Sequence, residues 1–160
     1  MSRSSSDRKT CLDLGYLGET LVAEWVQQQG GRVWHHRWTC RLGELDLVVQ
    51  WPTGMLAFVE VKTRSSGNWD QDGLLAISAR KRAKLQHTAE LFLVSHPQLA
   101  QLPCRFDVAL VRCRRRSGRA AHPPSQGAAF DPVTGLFRGQ LDGHELTLQA
   151  YLEGAFDGAG

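Results

Sequence analysis

The sequence is short of most features that assign a chain to a class at sight. No apolar run reaches the length needed to cross a bilayer. Leu45–Val49 and Leu91–Val94 are brief and sit beside charges, which argues against a membrane protein. The opening MSRSSSDRKT lacks the apolar segment of a secretory signal, so a cytoplasmic protein is expected rather than an exported one. The four cysteines, Cys11, Cys40, Cys104 and Cys113, form no CxxC pair. Reduced thiols in or near a core account for them better than a disulfide framework or a zinc site. There is no phosphate-binding loop, dinucleotide fingerprint or GxSxG elbow, so nothing points to the classes that carry those signatures. Charge of neither sign dominates. Nineteen Lys and Arg face sixteen Asp and Glu, a net +3 that by itself says little about nucleic acid.

What is present suffices for one domain. A chain of 160 residues, 42% of them hydrophobic, can bury a core without a stapling metal. Residues 1–11 read as a flexible tail and 12–160 as a single folded unit. Leu14, Leu17, Leu21 and Trp25 recur at helical spacing and predict an amphipathic helix over Leu14–Gln29, stopped by Gly30-Gly31. Arg32–Trp38 is a poorly patterned strand. Leu45–Gln50 and Leu56–Lys62 are stronger ones, joined through Trp51-Pro52-Thr53-Gly54 as an antiparallel hairpin. Ser78 caps a second helix running to about Val94, and Phe106–Val111 makes a fourth strand. The basic, Pro/Gly/Ser-containing stretch 112–127 reads as a surface loop, and Leu136–Leu152 as a hairpin or a strand with a helical turn. This order argues an α/β or α+β domain built on a mixed sheet.

The chemistry concentrates on the hairpin. Strand alternation places Phe58, Glu60 and Lys62 on one face with Val59 and Val61 on the other, and sets Asp46 and Val48 against Leu45, Leu47 and Val49. A carboxylate inside the run AFVEV needs a cation, hydrogen bonds or a metal to compensate its burial. Asp46 belongs to the neighbouring strand. Two carboxylates and a lysine in this arrangement suit phosphodiester hydrolysis. A hard ion such as Mg²⁺ takes oxygen ligands and polarises phosphate, and a lysine beside it orients the attacking water. A structural ion pair between Glu60 and Lys62 at a sheet edge explains the same residues equally well.

The stretches LGELDLVV (Leu42–Val49) and AFVEVKTR (Ala57–Arg64) resemble the YraN-like family of small bacterial proteins. That family is similar in turn to restriction-endonuclease-like nucleases and archaeal Holliday-junction resolvases. The likeness continues through GYLGETLVAEWV, Lys81, RFDVALV (Arg105–Val111) and GAF (Gly154–Phe156), nearly the whole chain. The resemblance implies a restriction-endonuclease-like α/β fold with a mixed central sheet flanked by helices. It implies Asp46 and Glu60 as ligands of Mg²⁺ or Mn²⁺, Lys62 as the lysine of the same motif, and Glu19 as a further acidic residue brought to the site. Glu44, in the shared Gly-Glu-x-Asp motif, is read as a support to that set. The chain departs from the family pattern at Arg37 and Thr39 and over Asp70–Gly73, positions that bear on substrate preference more than on the acidic residues.

Two basic clusters flank this region in sequence. Arg80, Lys81 and Lys84 share a helix face, and Arg112 and Arg114 belong to a second run. With Arg64 they form the expected contact to a DNA backbone, branched DNA included, and a two-fold homodimer would present two such sites. The rival expectation keeps the fold and the basic surface without cleavage, as a DNA-binding or nucleoprotein-associated factor. His35 and His36 cannot clamp one ion, because adjacent strand residues point to opposite faces.

Overall fold

The computed structural model describes residues 5–65, 77–116 and 127–156, with side chains from residue 14 onward in the first helix. Helix α1 (Ser5–Gln28) leads into strands β1 (Arg32–Cys40), β2 (Gly43–Gln50) and β3 (Leu56–Arg64). Helix α2 (Ala79–Ser95) and a 3-10 turn at Pro97–Leu99 carry the chain to β4 (Cys104–Arg115). Strands β5 (Ala129–Phe130), β6 (Phe137–Leu141) and β7 (His144–Phe156) follow. The seven described strands form one sheet in the order β1-β2-β3-β4-β7-β6-β5. Among the described strands only β3 and β4 are parallel, as a strand–helix–strand crossover through α2 requires. The central mixed sheet flanked by helices is consistent with a restriction-endonuclease-like arrangement.

Each helix buries its stripe on a different face. Leu17, Leu21, Val22 and Val26 of α1 pack on Leu47, Val49, Ala57, Val59 and Val111. Leu85, Ala89 and Phe92 of α2 pack on Leu45, Val48, Phe58 and Val108. Ser78 caps α2 as its position predicts, accepting the Lys81 N–H at 3.1 Å. Gly30, with φ +86°, follows the end of α1, and Gly54, with φ +91°, closes the β2–β3 turn.

Three boundaries or faces differ from the sequence reading. Helix α1 begins by Ser5, inside the expected tail, because a helix seeded by the apolar stripe extends through polar residues that no periodicity marks. Strand β4 runs to Arg115, so the first positions of the basic stretch are strand and not loop. Register pairs Arg112 with both Arg64 and Thr147. Leu45 lies on the α2 face with Val48, not opposite it, so alternation slips at Asp46. The C-terminal part agrees with one of its two expected forms, the hairpin β6–β7. Residues 1–4, Asn68–Gly73 and the middle of 112–127 lie outside the described residues.

Gly18 stands at a close approach between helix and sheet. A Cβ on Gly18 would stand 1.9 Å from the Thr63 Oγ1, so only glycine lets α1 lie this close to β3. Gly18→Ala should therefore destabilise the protein by about 1–3 kcal/mol in chemical denaturation, an overpacking cost. An unchanged midpoint would show that Thr63 swings aside freely.

Candidate metal centre

The centre forms where the β2–β3 ladder opens. Backbone pairing runs from Gln50↔Leu56 to Leu47↔Val59, while β3 stays paired with β4 as far as Arg64↔Arg112. The Val61 N–H donates instead to the Asp46 Oδ2, at 2.8 Å. A carboxylate thus takes the place of a ladder carbonyl at the point where the strands part. Glu60, on the α2 face of β3, accepts from the Lys81 Nζ at 2.6 Å. From the other face α1 delivers Glu19, which is 4% exposed. The Glu19 Oε2 accepts from the Arg37 Nε at 2.6 Å and the His36 Nε2 at 2.8 Å. Two consecutive β1 residues can reach one oxygen because Arg37 takes the left-handed conformation, φ +56°, which undoes the strand alternation there.

One carboxylate oxygen from each of Glu19, Glu44 and Asp46 lies within 4.8 Å of the others. An all-oxygen donor set suits hard divalent cations such as Mg²⁺, Mn²⁺ or Ca²⁺ and disfavours thiophilic ones. Glu44, Asp46, Glu60, Lys81 and Lys84 line a cleft of about 210 Å³ alongside. Burial first, and repulsion from Glu60 second, push the Asp46 carboxyl up to about 8, against the pull of the Val61 N–H. A carboxyl raised in this way retains a proton that a divalent cation would displace. The residues present therefore fit a hard cation. Burial also pushes the Lys62 ammonium down, with Lys81 adding to the effect, against the pull of Glu60.

The predicted site residues converge in part. Asp46 and Glu60 line one cleft, Glu19 joins Asp46 in the carboxylate cluster, and the surroundings of Lys62 include Glu60 and Asp46. The Glu44 oxygen belongs to the carboxylate cluster, whereas Glu60 turns one oxygen to Lys81. Of the basic residues, Lys81 is bound to Glu60, and the Lys84 stem packs over Gly43. Arg64, Arg80 and Arg114 are exposed, and Arg112 is half-buried in β4. Sequence reasoning missed Arg37 and His36 as partners of Glu19. Opposite faces for the histidines hold, since His35 meets His96 at 3.0 Å on the α2 side. A larger concavity of about 640 Å³ shares no residue with this centre, and its Arg138 pairs with Asp131 and Glu145 in its own walls.

The sequence profile described as "Uncharacterised protein family UPF0102" matches residues 18–111, a span that contains every carboxylate of the centre. A UPF0102 protein of Trichodesmium erythraeum is 44% identical over 175 aligned positions, covering 98% of this chain and 97% of its own. The UPF0102 protein sll0189 of Synechocystis sp. is 45% identical, covering 91% and 99% respectively. One from Thermosynechococcus vestitus is 47% identical over 75% of this chain.

Proposed function

The chain belongs to the uncharacterised protein family UPF0102, the YraN-like family, and from the geometry of its acidic centre we propose that it is a metal-dependent nuclease acting on DNA phosphodiester bonds, branched or repair intermediates included. The observation that carries this reading is the convergence of the Glu19, Glu44 and Asp46 oxygens beside the Asp46–Glu60 pair, in a cleft edged by Lys81 and Lys84. Glu19, Glu44 and Asp46 would hold Mg²⁺ or Mn²⁺, with Glu60 beside them. When bound, such an ion supplies Lewis-acid polarisation of a phosphoryl oxygen and acidifies water. The Lys62 Nζ orients the attacking water and steadies charge growing on the phosphate. Its lowered pKa lets it give up its proton more readily than an ordinary lysine. Arg64, Arg80, Arg112 and Arg114 hold the sugar–phosphate backbone without reading sequence, so affinity should fall steeply with salt. A homodimer would apply two centres to two strands, and the expected setting is the cytoplasm.

One observation favours a second reading. Arg37 and Lys81 already neutralise Glu19 and Glu60, as they would in a DNA-binding factor that does not cleave. The two readings part in one experiment. Full-length protein is incubated with linear, flapped and four-way-junction DNA in Mg²⁺, Mn²⁺ or chelator, and binding and nicking are scored separately. Nicking that needs the metal supports the nuclease. Salt-sensitive binding without nicking in any metal assigns the binding factor, and neither binding nor nicking removes nucleic acid from the reading.

A further inference from the structure

The acidic centre already contains a cation of the chain's own. The Arg37 Nε lies 2.6 Å from the Glu19 Oε2, the same oxygen that accepts from His36. Burial alone would pull the Arg37 pKa down, but Glu19, Glu44 and Asp46 outweigh it and hold the guanidinium firmly charged. These three are the carboxylates whose oxygens cluster. The guanidinium is also 5.2 Å from the Tyr16 ring centroid, and Tyr16 in turn stacks on His36 at 4.9 Å. To reach this place Arg37 adopts φ +56°, a conformation costly for any residue with a Cβ. The chain accepts backbone strain in order to set a positive charge among these carboxylates.

Resting on the cation-centre reading, we infer that Arg37 is the resident counter-cation of the centre, and that a divalent ion enters only in exchange for its contact with Glu19. An ion bonded to the Glu19 Oε2 at the usual oxygen distance would sit within about 5 Å of the Arg37 Nε, with like charges face to face. The Glu19 Oε2 already accepts from both Arg37 and His36, so an ion takes that oxygen as the guanidinium withdraws. On withdrawing it remains tethered beside the cleft as a planar donor suited to a phosphate. Arg37 thus sets the affinity of the centre for cations and links cation entry to capture of an anionic substrate, a coupling that must be reciprocal. Arg37 is a positioning residue here, since it acts through Glu19.

The test is calorimetric titration of Mn²⁺ into the intact wild type, Arg37→Gln and Arg37→Lys, without nucleic acid. Arg37→Gln should bind Mn²⁺ at least tenfold more tightly than wild type, and Arg37→Lys, which keeps the charge, should stay nearer wild type. Arg37→Gly adopts φ +56° without strain and serves as the second neutral variant if glutamine perturbs folding. A fixed, short duplex should tighten Mn²⁺ binding to wild type more than to either neutral variant. Equal or weaker Mn²⁺ affinity in both neutral variants, with wild type binding normally, overturns the exchange while leaving the cation centre standing. No Mn²⁺ binding by wild type or by any variant overturns the cation centre itself, and this inference with it.

Discussion

Asp46→Asn should make the protein more stable at pH 8 while abolishing its response to divalent cations. The Asp46 carboxyl is raised by burial and by Glu60 from 3.8 to about 8. A carboxyl raised on folding keeps its proton in the native state while the unfolded chain has lost it. Stability from this group is therefore fully present below about pH 4 and is lost as pH rises toward 8. Asparagine cannot ionise, so it escapes that loss. Its Oδ1 can still accept the Val61 N–H, and its amide can still face Glu60. The gain at pH 8 should be on the order of 2 kcal/mol, well below the full conversion of the shift because screening and relaxation reduce it. Thermal melts of both proteins from pH 5 to 9, with and without Mn²⁺, check this. Wild type should lose stability across the window, and saturating Mn²⁺ should restore it by about 2–3 kcal/mol at a hundredfold excess over its dissociation constant. The variant should follow a flatter curve and ignore the metal. A variant less stable than wild type at pH 8 would mean that Asp46 is an ordinary ionised partner of Val61, and the centre would lose its strained acid pair.

That trade between stability and charge explains which parts of the site were legible in the sequence. Asp46 and Glu60 stand out because each interrupts an apolar strand, and a carboxylate kept there at a cost in stability must be compensated or used. Lys62 follows from Glu60 by alternation alone. The helix faces were legible for the same reason: Leu17–Leu21 and Leu85–Ala89–Phe92 repeat at helical spacing and bury on opposite sides of the sheet. What escaped depends on backbone departures that leave no compositional trace. Nothing in His35-His36-Arg37-Trp38 announces a left-handed arginine, so the pairing of both His36 and Arg37 with Glu19 could not be read. The slip that turns Leu45 to the α2 face arises where β2 leaves β3, which is tertiary information. The arginines after Val111 looked like loop because charged runs are usually solvated, yet β3 and β7 hold Arg112 between them in a sheet. Glu19 was legible only through resemblance, since on the helix wheel it merely flanks the apolar stripe.

The largest loss of stability on mutation should occur at RFDVALV and GAF rather than at the acidic centre. Asp107 is fully buried in β4. Its Oδ1 accepts from the Arg105 Nε at 2.9 Å and the Gly154 N–H at 3.0 Å, and its Oδ2 accepts from the Tyr151 hydroxyl at 2.5 Å. The register between β4 and β7 shifts between Phe106 and Val108, so the carboxylate closes the irregularity that Gly154, at φ +57°, opens on the facing strand. Phe106 and Phe156 stack at 4.9 Å across the same junction, and Arg105 also reaches Glu153 at 3.2 Å. Burial first, then Asp107, pushes the Tyr151 hydroxyl above its ordinary range, which keeps it protonated as a donor. Asp107→Ala removes one acceptor group and leaves three donors, one of them charged, without it. Unfolding free energy should fall by about 3–5 kcal/mol, the usual cost of breaking a buried charged network from one side. Tyr151→Phe deletes a single donor and should cost about 1–2 kcal/mol. The double variant should cost less than the sum, because the hydroxyl has no carboxylate left to lose. Denaturant melts of the four proteins provide the cycle. Strict additivity would show that Tyr151 and Asp107 do not act on each other. A loss under about 1 kcal/mol for Asp107→Ala would show that packing of β7 on β4 holds this edge of the sheet without the clamp.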